Sequence, residues 1–83
     1  MYNEDRNLST LVKEIRRQLS LSQEDLARQL GVSYATVNRW ENGQSLPSKL
    51  AKAQLSAFCE RMTERGKLRL SDDVLESAGL SQD

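Results

Sequence analysis

A chain of 83 residues and 9.4 kDa forms one small domain with an economical core, and at 37% apolar and 29% charged residues it is too polar to be a membrane protein. Its single cysteine, Cys59, excludes an internal disulfide, and the absence of histidine excludes a zinc site of the usual thiolate and imidazole kind. The net charge is zero, yet residues 6–52 hold eight bases against four acids while residues 1–5 and 66–83 are each net −2, so an anionic partner meets a local positive field.

The polar start MYNEDRN has no apolar signal region behind it, and no stretch approaches the roughly 18 apolar residues of a membrane span. A cytoplasmic protein with no membrane, metal or cofactor is expected. Runs of alternating polarity rich in β-branched residues are absent, which predicts an all-α chain.

Leu8, Leu11, Val12, Ile15 and Leu19 recur at the spacings of an amphipathic stripe and predict a first helix from about Leu8 to Leu19. Ser22 is a natural N-cap for a second helix, with Glu24 and Asp25 in its first turn, Leu26, Ala27 and Leu30 as its apolar face, and Gly31 as its stop. Ser33 caps a third helix whose inner side is Val37 and Trp40 and which Gly43 closes. In the loop QSLPS, Leu46 is expected to tuck inward and Ser48 to cap a fourth helix over about Lys49–Arg65. The expected core face of that helix is Leu50, Ala53, Gln54, Ala57, Phe58 and Arg61 or Met62, with Leu55 slightly off the line. After Gly66, KLRL reads as extended and SDDVLESAGL as a short helix with an acidic head. The expected division is a domain over residues 7–65 and a tail over 66–83.

Two short helices joined by Gly31-Val32-Ser33 make the frame of a helix-turn-helix, with glycine at the sharp corner and Val32 as its plug. Val37 and Trp40 would fix the third helix and leave Tyr34, Ala35, Asn38, Arg39 and Asn42 on its outer side. A protruding helix about 10–12 Å across matches a B-DNA major groove about 12 Å wide.

LSQEDLARQLGVSYATVNRWENGQSLPS resembles the Cro/C1-type helix-turn-helix family of phage repressors and bacterial regulators. The shared parts are Ser22-Gln23, Leu26-Ala27, Gly31-Val32-Ser33, Glu41-Asn42-Gly43 and Pro47, and the resemblance covers roughly residues 7–58. It implies a compact bundle of four to five helices, similar to the lambda repressor, that binds double-stranded DNA. Carried over residue by residue, it implies that Gln23 sits beside the DNA backbone and that Ser33, Tyr34, Ala35 and Arg39 approach base edges, with a phosphate as the alternative partner of Tyr34. Asn38 belongs to the same DNA-facing set. Thr36 and Asn42 would contact phosphates, joined by Gln44. Arg39 is the expected specificity residue, since a guanidinium bonds guanine O6 and N7 together. The resemblance also implies an ion bridge from Arg16 to Glu41. One departure stands out: Gln44-Ser45-Leu46 occupies a loop where many relatives carry bases facing phosphate.

The function this implies is a sequence-specific transcription regulator, bound as a homodimer to a palindromic operator. The alternatives are a DNA-targeting module at the N-terminus of a larger protein and a helix-turn-helix used for protein contact. Leu55, Cys59, Met62, Leu68, Leu70, Val74, Leu75 and Leu80 exceed what one small helical face needs and suggest a self-association surface. No enzyme is expected. Without histidine nothing activates Cys59, Asp72-Asp73 reads as a helix start, and there is no glycine-rich phosphate loop. Trp40 at its spacing from Val37 is core rather than a stacking platform, Arg28 belongs to a solvated face, and Arg17 is divided between phosphate and solvent.

Overall fold

The computed structural model describes residues 4–80, with side chains from residue 6 onward. Five helices follow one another: α1 (Glu4–Leu19), α2 (Gln23–Leu30), α3 (Tyr34–Glu41), α4 (Lys49–Glu64) and α5 (Asp72–Ser77). Among the described residues there is no strand, and no helix is long and apolar enough to cross a membrane.

α1 starts a turn ahead of its apolar stripe, and Leu8, Leu11, Val12 and Ile15 are fully buried. It ends where Ser20 takes a left-handed conformation (φ 55°) and the Leu21 N–H returns to the Arg16 carbonyl at 2.9 Å. α2 opens on a reciprocal capping box: Ser22 Oγ accepts from the Asp25 N–H at 3.0 Å, and Asp25 Oδ2 accepts from the Ser22 N–H at 3.2 Å. It stops at Gly31, whose φ of 73° lets the Val32 N–H reach the Ala27 carbonyl at 3.0 Å. Ser33 caps α3 through the Thr36 N–H at 3.1 Å. α3 packs on α1 and α2, α4 on α2, and α5 on α1, so the helix-turn-helix is braced by α1 from one side and α4 from another.

Two expectations fail between α3 and the end of α4. Leu46 is 43% exposed and Pro47 takes the inward place in the loop. On α4 the buried face is Ala51, Leu55, Phe58 and Cys59, with Met62 half-buried, whereas Leu50 is 70% exposed and Ala53, Gln54, Ala57 and Arg61 face solvent. The helix is rotated about one residue from the expected line, so Phe58 and Met62 alone keep their places and Leu55 moves to the centre. The tail gives the reason. Leu68, Ala78 and Leu80 are buried in the same core as Leu55, Phe58 and Cys59, and Ser56 Oγ donates to the Leu80 carbonyl at 3.3 Å.

The chain from Gly66 to α5 is held by the Gln18 carboxamide, which accepts from the Arg69 N–H at 2.8 Å and donates to its carbonyl at 3.0 Å. Asn7 donates to the Ser77 carbonyl at 3.2 Å. Of the apolar positions set aside for self-association, Leu55, Cys59, Leu68 and Leu80 are buried within the chain, Met62, Leu70 and Leu75 are half-buried, and Val74 is 41% exposed.

Candidate nucleic-acid interface

α3 is anchored by Val37, Trp40 and Glu41, all buried. An eight-residue helix with three inward residues turns the rest outward: Tyr34, Ala35 and Arg39 are exposed, as are Ser33 before it and Asn42 and Gln44 after it. Neither Tyr34 nor Arg39 has a side-chain hydrogen bond or ion pair among the described residues. Both heads are therefore available to an outside partner. Ser33 and Thr36 are less free, since their hydroxyls bond each other at 2.8 Å beside the cap.

Glu41 is the only polar or charged residue buried among those described, and four groups meet it. Its carboxylate accepts from Arg16 Nε at 2.6 Å and Arg16 Nη2 at 2.8 Å, a bidentate pair. Gln23 Nε2 adds a third bond at 2.9 Å, and the Glu41 carbonyl accepts from the Ser9 hydroxyl. Burial pushes the Glu41 carboxyl up, but the bonds from Arg16 and Gln23 outweigh it and hold it below the ordinary carboxylate value. The bonds to Glu41 in turn raise the Arg16 guanidinium, which also donates to the Leu21 carbonyl at 3.2 Å. Arg16 thus ties together α1, the α1–α2 corner and the end of α3.

The bonding continues outward. Asn38 Nδ2 donates to Gln23 Oε1 at 3.2 Å, and Asn42 Nδ2 donates to Asn38 Oδ1 at 3.0 Å. This chain of amides brings the start of α2 alongside the outer side of α3. Three residues expected to meet DNA, Gln23, Asn38 and Asn42, are thereby oriented by the protein itself, and Ser33 is tied to Thr36, while Tyr34, Ala35, Arg39 and Gln44 present their exposed sides independently. The Gln23 bridge to Glu41 has no signal in the sequence, because it depends on how α2 leans on α3. Arg17 is paired with Glu14 at 2.6 Å on the α1 surface, and Arg28 with Asp25 on α2. Among the described residues, no group of histidine, cysteine or carboxylate side chains is arranged to hold a metal ion.

Comparison with known proteins places this frame. The helix-turn-helix family model matches residues 12–58, more than half of the chain. A type II methyltransferase, M1.ScrFI from Lactococcus lactis subsp. cremoris, is 36% identical over 61 residues, which is 70% of this chain and 16% of the methyltransferase. The chain thus spans only a small part of that relative. No solved structure matches it significantly. With the capped α2, the left-handed corner at Gly31 and the anchored α3 all inside the matched segment, the chain belongs to the Cro/C1-type helix-turn-helix family of DNA-binding domains.

Proposed function

We propose that this domain is a sequence-specific transcription regulator, acting in the cytoplasm on the nucleoid, that lays α3 in the major groove and binds a palindromic operator as a homodimer. The observation that carries this reading is the pair of exposed, unpartnered heads of Tyr34 and Arg39 on a helix whose opposite side is fixed by Trp40 and Glu41. Ser33, Tyr34, Ala35 and Arg39 would approach base edges. Thr36, Asn42 and Gln44 would meet phosphates, with Gln23 at the start of α2. Asn38, held between Gln23 and Asn42, would keep both amides in register with the groove. The loop Gln44-Ser45-Leu46 offers phosphate no cation, so one copy binds modestly and a second half-site, about 34–36 Å away, supplies the missing affinity. No reaction is assigned to the domain. The Cys59 thiol is buried, and burial pushes it up to about 12, far from a reactive thiolate.

Selection from a random duplex library, run beside Arg39→Ala at moderate salt, tests this. A palindrome should be enriched, and the variant should lose discrimination at one base position per half-site by about 1–3 kcal/mol. Binding without enrichment, weakening equally for both proteins as salt rises, would reduce the reading to backbone affinity. No binding would leave the frame to a protein partner.

The likeness to a type II methyltransferase favours a second reading, in which the domain serves as the DNA-targeting part of a DNA-modifying protein. A methyl placed on a major-groove base edge lies where α3 would read. Repeating the binding measurement on methylated copies of the enriched duplex separates the two, since a methyl-dependent affinity ties the domain to modification.

A further inference from the structure

A groove of about 440 Å³ runs between the second half of α4 and the tail. Its floor is apolar: Cys59, Leu70, Leu75 and Leu80 line it. Its rim is acidic on both sides, with Glu60 and Glu64 from α4 facing Asp72 and Glu76 from α5, and no lysine or arginine lines it. Asp72 also serves the positive end of α5, but Glu60 and Glu64 have no such explanation. They stand four residues apart on one helix face, a repulsive spacing, and neither has an ion pair among the described residues. A helix that keeps two like charges without ion-pair partners beside a half-buried apolar trough is matched to a cation from outside.

We propose that this groove binds a basic amphipathic helix of a partner protein. Charge decides among the possible occupants. A second copy meeting this one about a two-fold axis would set four carboxylates against the same four. DNA would be repelled outright. A helix with leucine-like residues on one face and lysine or arginine along both flanks satisfies floor and rim together. The α4 wall from Ser56 to Glu64 is about 12 Å long at about 1.5 Å per residue, room for two turns of such a helix. No residue of α2 or α3 lines the groove, so it can be filled while α3 is on DNA, and the inference stands whether or not DNA is read specifically.

The test uses the full 83-residue chain and a fluorescent synthetic peptide of leucine and lysine patterned for about four helical turns. A control peptide keeps every lysine and replaces leucine by serine. Anisotropy titration should show binding of the leucine peptide, and the double variant Glu60→Gln, Glu64→Gln should weaken it about tenfold, equivalent to about 1.4 kcal/mol. The variant should melt no lower than the wild type, because a repulsive pair has been removed. The serine peptide should bind at least about tenfold more weakly than the leucine peptide. Equal affinity of the two proteins for the leucine peptide would overturn the proposal, as would equal affinity of the two peptides or no binding at all. A dimer seen in sedimentation and lost on Leu75→Asp would give the groove to a second copy instead.

Discussion

Glu41 is a charge taken out of water, and what makes that tolerable is that every direction around it is occupied. Its side chain is 3% exposed and that of Arg16 26%, so the pair lies under the surface with only its cationic edge wet. Removing the carboxylate would leave the guanidinium without its bidentate partner and Gln23 without its anchor. Glu41→Ala should therefore cost about 2–4 kcal/mol in urea unfolding at neutral pH, near the range for breaking a buried pair. The acid dependence has a definite sign. Because the folded carboxyl lies below its ordinary value of 4.5, its contribution is complete above that value and is lost as pH falls through the folded one. The gap between wild type and variant should stay constant above about pH 5 and narrow below it. Glu14, held down to about 2 by Arg17 and Gln18, and Asp25, held down by Ser22, also weaken both proteins in acid, but they cancel in the difference. A gap unchanged between neutral pH and pH 3 would show that the ion pair carries none of it.

At the scale of elements, the corner between α2 and α3 is set by one backbone angle. A Cβ built on Gly31 would lie 3.9 Å from Gln54 Nε2, an ordinary contact, so space is no obstacle and the φ of +73° is. Gly31→Ala should destabilise by about 1–2 kcal/mol, measured by thermal or urea unfolding, with no change in the assembled structure. A neutral result would mean the corner relaxes out of the left-handed region. This corner was legible in the sequence because caps and stops are local: Ser22, Gly31 and Ser33 each act within four residues of themselves. The inner side of α3 was legible for the same reason, since Val37 and Trp40 leave the short helix only one way to lie. The face of α4 was not. Leu50, Ala53 and Ala57 make one weakly apolar stripe and Ala51, Leu55, Phe58 and Cys59 another beside it, and helical periodicity alone gives no reason to prefer either. The choice came from Leu68, Ala78 and Leu80, residues nine or more positions away along the chain, and no local pattern reports them. Pro47 rather than Leu46 fills the inward place in the loop for a similar cause: a single inward position is assigned by its neighbours in space.

The whole molecule is larger than its recognisable motif. The family match runs over residues 12–58, yet Leu8 and Leu11 precede it, Cys59, Leu68, Ala78 and Leu80 follow it, and all six belong to one buried core. The helix-turn-helix is therefore a surface feature of a fold completed by α1, the tail and α5, and a fragment limited to the matched residues would expose the inner sides of α1 and α4. Leu68 tests this most directly. It is 1% exposed and sits in the segment between α4 and α5, outside every recognised signal. If the tail is scaffold, Leu68→Ala should cost about 2–4 kcal/mol, as for other buried leucines, and the loss should be the same at all protein concentrations. If the tail instead served mainly to join two copies, the loss would grow on dilution, because the unfolding of a dimer depends on protomer concentration. Urea unfolding over a hundredfold range of concentration distinguishes these, and the burial of Leu68 against its own chain predicts the first.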